Sequence, residues 1–155
     1  SREVMKVQNV IIVPRYFISP DIIEKRKPLT SKARRAGWVG SNILLGRLPT
    51  DARIHVIIDG FIVPRRKVRE DWKRFSFFEE ISVSSKGWLS DVLACIRRLE
   101  KTEFTLSDMY TFEETLKQMH PRNKHIKAKI RQQLQILRDK GVLEFIGKGR
   151  YRIIR

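Results

Sequence analysis

One cysteine, Cys95, and three histidines are the only soft metal ligands among 155 residues. A lone cysteine excludes an internal disulfide, and the scattered histidines leave no ligand set for a structural zinc. No apolar run approaches the roughly 18–20 residues that a membrane-spanning helix needs, and no signal peptide opens the chain. A soluble cytoplasmic protein is expected. The chain starts at Ser1 rather than at a methionine, as expected of a processed chain or an excised segment. Acidic residues are scarce: 17 Asp and Glu stand against 33 Lys and Arg, a formal net charge of +16. A surplus of that size opposes compaction by self-repulsion and points to a polyanionic partner. Nucleic acid is the first candidate and an anionic membrane surface the second.

Hydrophobic residues make up 41% of the chain, too many for a disordered tail. The length suits one ordinary domain or two small ones. The first half reads as α+β. VQNVIIVP (7–14) is a short apolar run closed by proline, a strand pattern. Ser19-Pro20-Asp21 supplies an N-cap, a proline at the first helical position and an early acid, so a short helix carrying Ile22 and Ile23 is expected. From Lys25 to Ser41 the chain is basic and interrupted by Pro28 and Gly37, a long loop. NILLGRLP (42–49) and RIHVIID (53–59) read as strands, the second ending in an Asp59-Gly60 turn. Val68, Trp72 and Phe75 recur at helical spacing in RRKVREDWKRF (65–75), an amphipathic helix.

Near Ser84 the character changes. Trp88, Val92, Ile96 and Leu99 mark one face of a helix, with Cys95 near that core. Thr105-x-x-Asp108 has the form of a capping box with a shortened acid, and Met109, Phe112, Leu116 and Met119 continue a second helical face up to Pro121. Asn123 is the expected cap of a third helix with Ile126, Ile130, Leu134 and Leu137 buried and Gly141 just past its end. VLEFI (142–146), GKG and RYRII (150–154) form a hairpin. Three helices and a hairpin in this order are the winged-helix arrangement. Residues 1–83 and 84–155 are therefore read as two domains.

Charge is distributed unevenly. Residues 86–121 hold five basic and six acidic residues, whereas 122–155 hold eleven and two, so the field sits on the third helix and the hairpin. A merely solvated face mixes its signs, as the second helix does with Glu113, Glu114 and Lys117. With the apolar stripe turned inward, Lys124, Lys127, Arg131 and Gln132 face outward. Arg122, Asn123 and His125 lie at the helix start, the end that enters a major groove in helix-turn-helix docking. Gln132 and Gln133 can pair two hydrogen bonds with adenine, or they can be ordinary solvated side chains. Lys148 and Arg150 at the hairpin tip suit phosphate contacts. His125 has no second ligand nearby for a metal.

In the first half, KARRAGWVGSN (32–42) sets Trp38 between two glycines after three basic residues. Lys32, Arg34, Arg35, Gly37 and Trp38 make a candidate DNA-binding loop, with the glycines letting the backbone approach the duplex. The alternative is that Trp38 anchors the core. Pro20-Asp21 followed by Asp71-x-Lys73 has the form of a PD-(D/E)XK nuclease signature, whose carboxylates hold magnesium. Its context is wrong, because both segments read as helical where the signature needs strands. No serine or cysteine nucleophile with its base is evident.

RKPL (26–29), ARRAGWVG (33–40), EFTLSDMY (103–110), IRQQLQILRDKG (130–141) and GKGRYR (147–152), in that order, resemble the DpnI-type methyl-directed (type IIM) restriction endonucleases. The resemblance runs from about Val7 to the C-terminus. It implies the late part of a PD-(D/E)XK nuclease domain over 1–83, then a winged helix. It implies a bacterial restriction enzyme that cleaves duplex GATC carrying methyladenine, a Mg-dependent activity with a structural Zn. The family's zinc cysteines and its carboxylate–lysine motif lie upstream of the part matched. The resemblance therefore assigns no catalytic residue here, implies a missing N-terminal nuclease segment or companion chain, and leaves enzyme status open. It places Trp38 against the methyl groups of the paired adenines. The remaining readings are a non-catalytic winged-helix regulator and an RNA-binding basic protein, the latter supported by charge alone.

Overall fold

A computed structural model describes residues 6–154. It divides into two compact units, the first ending at Gly87 and the second beginning at Trp88.

The first unit is built on a three-stranded antiparallel sheet of β1 (Val10–Ile12), β4 (Ile54–Ile58) and β5 (Phe61–Ile62), in the order β1-β4-β5. Asp59 and Gly60 join β4 to β5 with positive φ angles of 50° and 84°, the backbone that a two-residue hairpin turn demands. A second, two-stranded sheet pairs β2 (Ile23–Lys25) with β3 (Ser41–Ile43). Helix α1 (Arg65–Arg74) follows β5, and its Trp72 carbonyl accepts the hydroxyl of buried Tyr16. Four rings form the heart of this unit: Tyr16, Phe17, Phe75 and Phe78, with Phe17 and Phe78 centroids 4.6 Å apart. Burial, reinforced by Glu79, pushes the Tyr16 phenol up to about 12. RYF and SFFEE carry no periodic signal, so this aromatic cluster is a product of tertiary contact.

Two expectations for this unit are corrected. Ser19 makes no capping hydrogen bond, and Pro20–Ile22 is a single 3-10 turn, after which Ile23 enters β2. Proline set the turn's start, but strand pairing with Ile43 won the β-branched Ile23. NILLGRLP is a strand only through Ile43; Leu45–Arg47 and Thr50–Ala52 are 3-10 turns that bring Leu48 and Ala52 into the core.

Helix α2 (Val83–Arg98) crosses the boundary between the units, and from Trp88 onward it belongs to the second. There it is joined by α3 (Leu106–Tyr110), α4 (Glu113–Met119) and α5 (Ile126–Asp139), with β6 (Glu103–Thr105), β7 (Leu143–Gly147) and β8 (Arg150–Ile153) forming an antiparallel sheet in the order β6-β8-β7. The expected stripe of α5 is buried: Ile126, Ile130, Leu134 and Leu137 are at most 5% exposed. Leu89, Val92, Leu93 and Ile96 of α2 are buried in the same unit, and burial pushes the Cys95 thiol up to about 12.

The termini of these helices follow from local chemistry. Thr105 and Asp108 make the capping box: the Asp108 N–H donates to Thr105 Oγ1 at 3.1 Å, and the Thr105 N–H donates to Asp108 Oδ2 at 2.7 Å. Past α5, Gly141 adopts φ +72°, its N–H donates to Arg138, and the Val142 N–H donates back to Leu137 at 2.8 Å. That pair of bonds is the Schellman closure, which satisfies carbonyls the helix leaves open. The second expected helix is split. Thr111 Oγ1 donates to the Asp108 carbonyl at 2.6 Å and the Phe112 N–H donates to Met109, so α3 tightens and stops before α4 begins. Asn123 does not cap α5: His125 occupies that position, and Asn123 Oδ1 instead accepts the His125 N–H at 2.7 Å in a turn before the helix. Strand β6 has no period-2 stretch long enough to be read from three residues.

Candidate nucleic-acid interface

The segment expected as an irregular loop is the closed end of the β2–β3 hairpin. Ile23 faces Ile43, Glu24 faces Asn42 and Lys25 faces Ser41. Beyond these pairs the Arg26 N–H donates to Gly40, the Leu29 N–H to Trp38 and the Gly37 N–H to Leu29, at 2.9–3.0 Å. Backbone bonds therefore hold the lobe in one shape. Thr30–Ala33 and Arg35–Trp38 close as tight turns, and Gly37 takes φ +78°, which a side chain would strain.

Trp38 is 53% exposed at this end of the hairpin, so the ring is not a core anchor. Its six-membered ring leans over Gly40, and beside it Ile23, Lys25, Val39 and Ser41 line an open cleft. Lys25, Arg26, Lys27, Lys32, Arg34 and Arg35 surround the lobe without one acidic residue between positions 25 and 41. All six side chains are exposed, and none is held in an ion pair or side-chain hydrogen bond among the described residues. A polyanion meeting this surface displaces only water and counterions. Lys25, Arg26 and Lys27 join the expected Lys32, Arg34 and Arg35 as exposed cations of the same hairpin end, and their place in the same basic run was the available signal.

On the second unit the exposed side of α5 is also basic. Arg122, Lys124, His125 and Lys148 have exposed side chains without ionic or hydrogen-bond partners among the described residues. Lys148 lies with Gly149 at the β7–β8 tip, where Gly147 pairs with Arg150. The other expected contacts are already engaged within the unit. Lys127 pairs with Glu113 at 3.2 Å and lies 5.3 Å above the Tyr110 ring, and Arg131 donates to the Tyr110 hydroxyl at 2.8 Å. Gln132 accepts from Lys129 at 2.8 Å, and Arg150 lies 3.6 Å from Glu103. Tyr110 is the residue that sequence reasoning missed here. It contacts two cations one turn apart on α5, and although it ends the EFTLSDMY motif, nothing local predicts this contact because it crosses from α3.

Residues 1–81 match the Dam-replacing family, and residues 84–153 match the Dam-replacing HTH domain. The chain belongs to the Dam-replacing family. Its second unit is accordingly a helix-turn-helix type of domain, a DNA-binding arrangement, and the DpnI-type resemblance read from the motifs is the same relationship.

Three further features of this Dam-replacing chain bear on the site. Gln133 is fully buried, with its Nε2 3.4 Å from Gln132 Oε1, and so it cannot read a base. It occupies the flank of the apolar stripe that the one-face reading left outside. Ahead of α5, His120 donates from Nε2 to Asp91 Oδ2 at 2.7 Å and stacks on Trp88 with ring centroids 3.8 Å apart. The Asn123 N–H donates to the His120 carbonyl, so this buried contact anchors the turn that displays Arg122, Lys124 and His125.

The third feature concerns the carboxylates of the nuclease-like pattern. Asp71 is bound to Lys67 at 2.6 Å on α1, whereas Asp21 lies in the 3-10 turn against Gly87. Among the described residues no three His, Cys, Asp or Glu side chains converge where a metal could bind. Asp21 and Asp71 thus sit in a 3-10 turn and on a helix, neither in the strand context that the nuclease signature needs. No helix among the described residues is long and apolar enough to cross a membrane.

Proposed function

We propose that this chain recognises adenine-methylated GATC in duplex DNA as part of a methyl-dependent type II restriction endonuclease. In this reading residues 1–83 are the late part of a PD-(D/E)XK nuclease domain and the second unit is a winged helix. The α5 start, with Arg122, Asn123, Lys124 and His125, enters the major groove, and Gln132 is the remaining candidate reader of adenine. Lys127 and Arg131 on α5, with Lys148 and Arg150 at the wing, neutralise phosphates and position the domain.

The observation that carries the reading is Trp38, an exposed ring held on an ordered hairpin end whose sequence run carries six exposed cations. Methylation of the adenine amine adds apolar surface in the major groove. Covering one methyl is worth about 0.8 kcal/mol. Two methyls, one per strand, then give discrimination of about tenfold. Lys32, Arg34 and Arg35 hold phosphates while the ring covers the methyls, and Gly37 supplies the bend between them.

Binding to fully methylated and unmethylated GATC duplexes at one fixed salt concentration tests this. A preference of about tenfold or more for the methylated duplex is expected, and equal affinity overturns it. Magnesium, and the structural zinc implied for the longer enzymes of the family, enter with a segment or partner chain that carries their ligands. A binding-only protein is the second reading, favoured by the placement of Asp21 in a 3-10 turn and of Asp71 on a helix, where the nuclease signature needs strands. Methylated plasmid incubated with this chain and magnesium is expected to remain intact. Cleavage would refute the assignment of the catalytic residues elsewhere.

A further inference from the structure

Gly40 has a negative φ and is not required by its backbone. Its neighbours give another reason for it. A Cβ built on Gly40 would lie 2.9 Å from both Cζ3 and Cη2 of Trp38, and 3.6 Å from Cδ of Arg26. Carbon atoms in contact sit at about 3.5–4.0 Å, so a methyl group and the indole cannot both occupy these places. Glycine is therefore the residue that lets the ring lie down over the hairpin backbone. The Arg26 N–H also donates to the Gly40 carbonyl, which holds this stretch of backbone in place beneath the ring.

We propose that Gly40 is a specificity-determining residue acting through Trp38. It is the seat on which the indole rests, and it fixes the height and tilt at which the ring meets the methyl groups. This rests on the reading of Trp38 as the methyl-contacting residue. The indole is the free end of an exposed side chain, so a Cβ at position 40 swings the ring away and leaves the hairpin folded. A misplaced ring loses its grip on methyl groups while the surrounding cations keep theirs on phosphate.

The competing role for Gly40 is close approach of the bare backbone to the duplex, and the two roles predict different outcomes. Gly40→Ala, Trp38→Ala and the double variant are compared with the parent chain on methylated and unmethylated GATC duplexes at equal salt. If Gly40 seats the ring, Gly40→Ala removes most of the roughly tenfold preference and leaves affinity for the unmethylated duplex within about twofold. The double variant then matches Trp38→Ala, because two changes acting through one group are not additive. If Gly40→Ala weakens both duplexes alike, or adds its effect in full to Trp38→Ala, the seat is overturned in favour of backbone approach. If Gly40→Ala keeps the preference while Trp38→Ala loses it, the seat fails and the methyl reading survives. If Trp38→Ala itself keeps the preference, the underlying reading fails. The indole N–H resonance of Trp38, assigned by its loss in Trp38→Phe, reports the ring directly. It should move in Gly40→Ala while those of Trp72 and Trp88 stay, and an unmoved Trp38 signal overturns the proposal.

Discussion

At the scale of single residues, exposure and partners separate side chains that composition treats alike. Trp38, Trp72 and Trp88 all have a basic residue within three positions, yet Trp88 is 7% exposed under His120 and Trp38 is 53% exposed. Trp38→Ala should lower preference for the methylated duplex by about tenfold, with affinity for the unmethylated duplex nearly unchanged, in an equilibrium titration. Asp108 gives a pH signature. Hydrogen bonds from Lys101 first, and then from Thr105, hold its carboxyl at about 2, below the ordinary 3.8. A depressed carboxyl stabilises the fold above its ordinary value and loses that contribution as pH falls towards the folded one. The group is partly exposed, so solvent screening keeps the gain to about 1 kcal/mol. Asp108→Asn should therefore be less stable by about 1 kcal/mol near neutrality, with the gap closing between about pH 4 and pH 2 in denaturant melts.

At the scale of elements, α5 does two jobs on opposite sides. Its buried stripe holds the second unit together, and Leu134→Ala should cost about 2–5 kcal/mol in equilibrium unfolding because Leu134 is wholly enclosed. Its outer side carries cations that already have partners within the unit. Lys127 must give up or share Glu113 to reach a phosphate. Lys127→Ala should weaken binding to all sequences and lower the salt slope by about one. Glu113→Gln should do the opposite, raising affinity a few-fold without altering methyl preference. A weaker complex on loss of Glu113 would show that the pair orders Lys127 rather than competing for it. The periodicities of α1, α2 and α5 were legible, because each repeats an apolar position over at least two turns. The α3–α4 break was not, because one threonine hydroxyl turned to a carbonyl decides it.

At the scale of the whole molecule, the +16 charge divides between two surfaces, one on each unit. The basic run from Lys25 to Arg35 and the residues from Arg122 onward each assemble a face with unpaired cations. Binding should depend steeply on salt: neutralising about six phosphates implies a loss on the order of 10³ in affinity between about 50 and 200 mM salt. A flat salt dependence in a titration series would overturn the assignment of these faces to DNA.

Sequence by itself determined the charge of those faces, the buried stripe of α5 with its glycine closure, the Asp59-Gly60 turn and the Thr105–Asp108 cap. Each is set by residues a few positions apart, where spacing alone fixes geometry. Tertiary structure decided the features that depend on distant partners. It paired Ile23, expected in a helix, with Ile43, expected in a strand, in one hairpin, buried Gln133, and set Tyr110 against Lys127 and Arg131. It also brought the indole of Trp38 over Gly40, a contact that backbone approach to the duplex did not require and that the closed hairpin makes.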